Sequence, residues 1–258
     1  MTLIPSIFSI GLWTLIKREI HRFLVYYVQS LIGPVITTLL FLTIFTLAFG
    51  DRAEVWGLPF VVFVAPGLIM MSVLQNAFMS PSASIILGKL QGNIVDTVMA
   101  PLSSLDLALG YGLSGVARGL IIGYTTLLCV AVFVDLPYHS HFLIFLALFN
   151  GGLMMSLLGT LTGIWGDKFD NQATISNFVV NPLAFLSGTF YSIDRLPETW
   201  QTISHFNPFF YVIDAFRYGF LGISDADPYM GMMIVGILNV VLLAWTYALF
   251  ASGYKLKT

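Results

Sequence analysis

Charged residues are scarce in this sequence. Lysine, arginine, aspartate and glutamate make up 9% of the 258 residues, whereas 57% are hydrophobic and the mean hydropathy is +0.88. Soluble domains carry about 25% charged residues, so a water-soluble fold is excluded. We expect an integral membrane protein in contact with lipid and without a nucleic-acid partner; the net charge of −2 says little about partners because so few charges exist.

Motifs for nucleotide and metal chemistry are also missing. The Gly88-Lys89 pair is followed by Leu90 and lacks the earlier glycine of a phosphate-binding loop. His139 and His141 have H-x-H spacing, but they lie in a short loop where solvated histidines are favoured over a metal site. We therefore expect no metal and no cofactor bound by this chain.

Cysteine and serine offer no alternative chemistry. Cys129 is the single cysteine and lies in an apolar run, so no intramolecular disulfide can form. Ser114 and Ser156 lie in membrane segments without a histidine partner or a nucleophile-elbow context. We expect no catalytic residue, which disfavours an intramembrane enzyme.

Long intervals without Lys, Arg, Asp or Glu dominate what is present. A helix needs roughly 20 apolar residues to cross the bilayer core, and the apolar runs are continuous rather than alternating, which favours helices over a β-barrel. We predict a single all-α transmembrane domain over 1–258 with six spans. The predicted spans are 29–49, 59–80, 105–134, 141–165, 172–190 and 229–251.

The distribution of basic residues predicts the orientation. Cytoplasmic loops are enriched in Lys and Arg. One side receives Lys17, Arg18, Arg22, Lys89, Lys168, Lys255 and Lys257, and the other receives Arg52, Arg195 and Arg217. This asymmetry places both termini in the cytoplasm.

Residues 12–27 form a predicted amphipathic helix. The apolar face comprises Leu12, Ile16, Ile20, Phe23 and Tyr27, and the basic face comprises Lys17, Arg18, His21 and Arg22. Such a helix lies in the membrane interface with its basic side toward anionic headgroups. The alternative is a plain extension of the first span.

The segment 81–103 is too polar to span the membrane and too apolar for a free linker. Its apolar residues recur at helical spacing between Pro81 and Pro101, whereas Lys89, Asn93 and Asp96 lie elsewhere. We predict a short amphipathic helix at the cytoplasmic face. It either docks a soluble partner or merely rests on the bilayer.

The outer connection 191–221 is long and rich in aromatic residues. Irregular backbone at membrane depth is tolerated only where protein or a cavity satisfies its polar groups. We predict a re-entrant pair of helices, with one over 196–204, a turn at Asn207-Pro208 and a second over 209–221. A surface loop with scattered aromatics is the alternative.

Arg118 lies near the middle of the third predicted span. A cation at that depth costs at least about 2.5–3.5 kcal/mol, and Asp106 is too far along the same helix to pair with it. Arg118 either faces a polar pathway and binds an anionic substrate, or it is paired structurally or lies in a deep cytoplasmic vestibule.

Glycines at four-residue spacing accompany Arg118. Gly115, Gly119 and Gly123 form a small-residue stripe in the third span, and Gly159 and Gly163 offer a matching surface in the fourth. Small residues let helices approach closely, so we predict tight packing between these two spans.

Four stretches carry a family resemblance. PLAFLSGTFYSIDRLPETWQTISHFNPFFYVIDAFRYGFLG (182–222) resembles the signature region of the bacterial ABC-2-type transporter permeases. APGLIMMSVLQNAF (65–78), NIVDTVMAPLS (93–103) and GVARGL (115–120) are similar to short permeases of the same family. The resemblance covers essentially the whole chain.

The resemblance implies a bacterial inner-membrane permease subunit of an exporter. Its fold would have six spans, an interfacial connecting helix (12–27), a cytoplasmic coupling segment (85–101) and an outer re-entrant gate (191–221). Members pair as dimers, here expected to be a homodimer, and dock separate ABC ATPase subunits that bind ATP and Mg. A secondary transporter or channel without an ATPase partner is the alternative.

The resemblance also assigns roles by position. The residues expected to couple to the ATPase are Lys17, Arg18, Arg22, Lys89, Asn93 and Asp96. The residues expected in the pathway or gate are Arg118, Leu196, Pro197, Asn207, Pro208, Phe209, Phe210 and Arg217. The resemblance leaves open whether the substrate is a polysaccharide, a lipid, a drug or another hydrophobic compound.

Overall fold

The computed structural model describes residues 10–49 and 54–255. Arg52 and Lys257, which entered the charge count, lie outside the described residues. The helices are α1 (Ile10–Val25), α2 (Gly33–Phe49), α3 (Phe60–Leu90), α4 (Ile94–Met99), α5 (Ser104–Val130), α6 (His141–Trp165), α7 (Phe169–Ile175), α8 (Asn181–Phe185), α9 (Glu198–His205), α10 (Pro208–Leu221) and α11 (Pro228–Ser252). Strands β1 (Glu54–Val55) and β2 (Leu58–Pro59) form a small hairpin.

Five helical segments of the described chain are long and apolar enough to cross a membrane. They are 28–48, α3, α5, α6 and α11, and they match five of the six predicted spans. The sixth predicted span, 172–190, is a segmented helix in which α7 passes through a π-helical turn (Ser176–Val180) into α8. The all-α membrane architecture is confirmed, and a crossing by this segmented helix stays a prediction.

Helix α3 forms the centre of the bundle. In its most apolar stretch 72% of the residues are buried, against 17% for 28–48. It also continues through Pro81 to Leu90, so the prediction that a separate helix begins at Pro81 is wrong. A neighbouring Ser82 hydroxyl donates to the carbonyl oxygen of Phe78 (2.9 Å), and such bonds help membrane helices to tolerate proline. The predicted coupling helix is reduced to α4.

Helix α1 packs its apolar face against α5, and its placement at the membrane interface stays a prediction. Leu15 contacts Gly110, and the Arg118 guanidinium lies 5.7 Å from the ring centroid of Phe23. From the first contact to the second both helices advance by the same number of residues, so they run side by side in one direction. The prediction that this apolar face meets the membrane is wrong, because protein covers it. Tyr27, assigned to that face, is exposed.

The glycine stripes of α5 and α6 both face α3. Gly119 and Gly123 meet Val73, Gly159 meets Phe78, and Gly163 meets Ser82 and Ile85. Gly115 approaches both Ser156 on α6 and Ala77 on α3. Helices α5 and α6 do pack closely, as predicted, but most of the stripe glycines meet α3 instead of one another, because α3 takes the close approach that the small residues permit.

The two ends of the bundle separate the charges that the sequence assigned to opposite sides of the membrane. At the lysine end, Asp167 lies 3.6 Å from Lys89 Nζ and 3.0 Å from Lys255 Nζ. At the hairpin end, Arg195 Nη2 donates to the carbonyl oxygen of Glu54 (3.2 Å). Which end faces the cytoplasm stays a prediction from the charge count.

The connection before α11 contains two helices joined at Asn207-Pro208. Pro197 precedes α9, Asn207 caps α10 by accepting from the Phe209 amide (3.1 Å), and Pro208 occupies the first turn. The Asn207-Pro208 start follows ordinary capping chemistry, whereas Pro197 occupies the N-cap position of α9 without a side-chain cap. Helices thus form where the periodicity indicates them, and the re-entrant placement of the pair stays a prediction.

Candidate functional site: two clefts beside helix α1

The first cleft lies between α1 and α4 and has a volume of about 730 Å³. Four predicted coupling residues line this α1–α4 cleft: Arg18, Arg22, Asn93 and Asp96. Arg18 Nη1 donates to Thr97 Oγ1 at 3.1 Å. This bond connects the two segments that the sequence assigned separately to ATPase coupling.

A buried carboxylate positions the arginines of α1. Glu19 is 2% exposed and accepts from Arg18 Nη2 (3.2 Å) and Arg22 Nη2 (2.8 Å). Sequence analysis did not identify Glu19, although its place on the face of Leu12, Leu15 and Phe23 could have marked it as buried. Burial strengthens such charge-assisted bonds, so both arginines are held in place.

Lys89 does not project as a docking charge. Its side chain is 9% exposed, and Nζ donates to the carbonyl oxygens of Ile164 and Gly166 at the end of α6. A cation at a helix C-terminus satisfies free carbonyls and complements the helix dipole. The prediction that Lys89 lies on the free face of an amphipathic coupling helix is therefore wrong. Lys17, by contrast, is exposed.

The lysines lower the pKa of the Asp167 carboxyl. The hydrogen bond from Lys255 is the largest cause, and the positive charges of Lys255 and Lys89 add to it. The carboxylate thereby stays ionised between the ends of three helices: α3, α6 and α11.

The second cleft, named here the Arg118 cleft, has a volume of about 690 Å³. It lies between the 28–48 helix, α3 and the segmented helix, and its polar lining includes Arg22, Gln29, Gln75, Asn76, Arg118 and Asn181. Gln75 Nε2 donates to Asn181 Oδ1 (3.0 Å), joining α3 to the segmented helix. Such a polar groove among apolar helices marks a candidate substrate site.

Arg118 is incompletely satisfied in this cleft. Its Nη2 donates to Asn76 Oδ1 at 3.3 Å, its guanidinium faces the Phe23 ring, and its buried Nε has no hydrogen-bond partner. No carboxylate among residues 10–49 and 54–255 forms an ion pair with it. The structure thus places Arg118 on a polar cleft without a full structural partner.

One π-helical turn of the described chain lines this cleft, and another directly precedes a residue that lines it. One is Val28–Ile32, from which Gln29 and Ser30 line the cleft, and the other is Ser176–Val180, immediately before Asn181. π-Helical turns are rare and occur frequently at functional sites. Their shared position supports a functional reading of the Arg118 cleft.

The other predicted pathway residues lie away from this cleft. Phe209, Phe210 and Asn207 are buried, while Leu196 and Pro197 are partly or fully exposed beside α9. Pro208 and Arg217 belong to α10, and Arg217 is fully buried. Within this set Arg118 is the residue that lines the Arg118 cleft.

Arg217 has a tightly packed environment. Its guanidinium lies 4.1 Å from the centroid of the Phe63 ring, and Nη2 donates to the carbonyl oxygen of Gly188. Gly67 leaves room for this approach, since a Cβ there would lie 3.3 Å from Nη2. Arg217 therefore anchors α10 to α3 and to the loop after α8. The sequence gives no sign of these partners, because Phe63 and Gly188 are distant from Arg217 in the chain.

The described chain contains no cluster of side chains suited to binding a metal ion. Within residues 10–49 and 54–255, no group of three or more His, Cys, Asp or Glu side chains is placed to hold an ion.

Comparison with known proteins assigns the chain to a family. The sequence model of the ABC-2 type transporter family matches residues 11–221. The chain is 38% identical over 252 residues to the inner membrane transport permease YadH of Escherichia coli (strain K12), covering 96% of this chain and 98% of that protein. It is also 25% identical over 197 residues to nodulation protein J of Rhizobium leguminosarum bv. viciae, covering 70% and 71% of the two chains. The chain therefore belongs to the ABC-2 type transporter family, as a membrane permease subunit.

Proposed function

We propose that this ABC transporter membrane subunit works as an exporter. Two copies would form the substrate pathway, and a separate ATPase subunit carrying ATP and Mg would drive it. The family and the permease name of the relative in Escherichia coli support transport. Export, pairing and the ATPase partner are parts of the proposal.

The observation that carries the proposal is the Arg18–Thr97 bond across the α1–α4 cleft. A separate ATPase can move a permease only through a surface rigidly connected to the membrane helices. Helix α4 follows α3 directly, and α1 packs along α5. A partner that binds both α1 and α4 would therefore move α3 and α5 together.

The inner membrane is the proposed location, with both termini in the cytoplasm. The relative YadH is an inner membrane permease by name. The lysine end of the bundle collects the basic residues that favour the cytoplasmic side. This orientation puts α4 on the side where ATP is available.

Co-purification tests the proposal. The tagged chain is isolated in mild detergent from cells that express its neighbouring genes, and the ATPase activity of the complex is measured. Asp96 and Lys17 are exposed, so Asp96→Arg with Lys17→Glu should lower the recovered ATPase by about tenfold or more, as expected for lost interfacial charge pairs. Lys89 is unsuitable for this test because its change would disturb α6.

A matched control carries a charge reversal at the opposite end of the bundle. Glu198→Lys on exposed α9 should leave ATPase recovery unchanged. If the unmodified chain purifies without any ATPase, the proposal fails and a secondary transporter or channel is favoured.

A further inference from the structure

We propose that the Arg118 cleft binds the anionic head of an amphiphilic substrate, a phosphate or carboxylate group carried on an apolar body. This inference rests on the proposed transport function and names the substrate class. The proposal rests on three features that lie in one cleft of about 690 Å³: an arginine without an ion pair, amide side chains and aromatic walls.

The cleft has an excess of positive charge. The charged residues that line the cleft are Glu19, Arg22 and Arg118. Glu19 is already shared by Arg18 and Arg22 at 3.2 and 2.8 Å. The Glu19 carboxylate therefore neutralises charge on the arginines of α1, and the positive charge of Arg118 is not neutralised by an ion pair within the described chain.

Arg118 has hydrogen-bond donors that the described chain does not use. A guanidinium has five donors, and in the described chain Arg118 has one long bond to Asn76 with a buried Nε left without a partner. Arg217 also has a buried Nε without a partner, but its side chain is fully buried against Phe63, whereas Arg118 is partly exposed and lines the cleft, where a ligand can reach it. Phosphate and carboxylate oxygens match the geometry of the guanidinium donors. An anion would therefore supply the acceptors and the negative charge that Arg118 lacks within the described chain.

Apolar side chains form much of the cleft wall. The cleft walls contain Phe41, Met71, Met79, Phe185 and Phe190. Aromatic and methionine side chains give adaptable apolar contact. A small hydrophilic anion would leave these walls unused, so the complementary ligand has an apolar part next to its charged head.

Binding to the purified full-length chain tests the inference. The chain is held in dodecyl maltoside, which already presents a neutral amphiphile with the same tail. Dodecyl phosphate and dodecyltrimethylammonium are then compared by native mass spectrometry. We expect dodecyl phosphate to bind and the cationic amphiphile not to bind, and equal binding of the two would overturn the inference.

Arginine variants locate the site. Arg118→Gln should weaken dodecyl phosphate binding by about tenfold, the effect of one charge-assisted contact, whereas Arg118→Lys should retain most of it. Arg195→Gln is the control, since that side chain is exposed and does not line the cleft. Binding that is unchanged in Arg118→Gln would overturn the inference. If Arg118→Gln does not fold, the binding of dodecyl phosphate and of dodecyltrimethylammonium is compared in Arg118→Lys instead. Equal binding of the two probes by that variant would overturn the inference.

Two further probes separate the sources of the anion. Inorganic phosphate should bind much more weakly than dodecyl phosphate, and equal affinity would overturn the amphiphile class. Phosphatidylglycerol carries the same kind of anionic head and is therefore the probe for a resident lipid: displacement of dodecyl phosphate by it would identify the cleft as a membrane-lipid site and overturn the substrate assignment, whereas retention of dodecyl phosphate would support it. None of these measurements requires the ATPase, so their failure is distinguishable from failure of the co-purification test.

Discussion

At the scale of single residues, Lys89 shows how a charge that seems available in the sequence is used inside the fold. Its ammonium group is held by two carbonyl oxygens at the end of α6 and lies near Asp167. Lys255 reaches the same end of α6 through the carbonyl oxygen of Trp165 (3.0 Å). Two lysines distant in sequence thus donate hydrogen bonds to the carbonyl oxygens at the C-terminal end of α6.

Replacing Lys89 should destabilise the protein. Lys89→Met leaves the carbonyl oxygens of α6 without their donor, which costs about 1–3 kcal/mol of unfolding free energy. Lys17→Met is the matched control because Lys17 is exposed. Heating in detergent, followed by size-exclusion chromatography of the surviving protein, measures the difference. Equal thermal stability of the two variants would contradict this role of Lys89.

At the scale of elements, Asn207 joins two segments. Its Nδ2 donates to the carbonyl oxygen of Leu183 (2.8 Å) and to Ser187 Oγ (2.9 Å), and its Oδ1 caps α10. The start of α10 is thereby fastened to the end of the segmented helix. Movement of α10 during a transport cycle would be coupled to the segmented helix that borders the Arg118 cleft.

Replacing Asn207 and Pro208 together with alanine should abolish transport and leave membrane insertion intact. The long apolar helices that direct insertion are unchanged, whereas α10 loses its cap and its attachment to Leu183. The measurements are ATP-driven uptake of labelled dodecyl phosphate into inside-out vesicles and the amount of protein in the membrane fraction. Thr202→Ala, whose hydroxyl bonds only within α9, is the control, and normal uptake by the double variant would reject the prediction.

Local sequence signals were strong enough to predict some elements. Pro197 and Asn207-Pro208 mark helix starts because capping depends on neighbouring residues alone. The β-hairpin at 54–59 was missed, although Gly57 marks a turn, because its partner in the turn is Trp56 with a positive φ of 56°. Such a conformation is uncommon for a bulky side chain, so sequence rules did not favour it.

At the scale of the whole molecule, the two most exposed spanning segments differ in what they border. The outer face of α11 carries Met233, Ile237 and Val240 and suits lipid. The 28–48 helix borders the Arg118 cleft, whose amide and guanidinium groups lipid chains cannot satisfy. We expect the second copy to cover the face of the 28–48 helix.

Cross-linking distinguishes the two faces. Phe41→Cys on α2 and Val240→Cys on α11 are made in a Cys129→Ser background, and membranes are treated with a short thiol cross-linker. We expect a covalent dimer from the Phe41→Cys chain and monomer from the Val240→Cys chain. A dimer formed only by the Val240→Cys chain, or monomer from both, would reject this arrangement.

Composition and apolar run length were sufficient to predict the membrane environment and the helical class, because these signals require no knowledge of partners, and the family followed from the resemblance of four stretches of sequence. The sequence by itself also identified Arg118 as a costly charge within a span. Only the tertiary structure decided that Lys89 is buried at α6, that both glycine stripes face α3 and that Glu19 holds the arginines of α1. These relations join residues far apart in the chain, and the close approach of helices that creates them depends on packing in three dimensions.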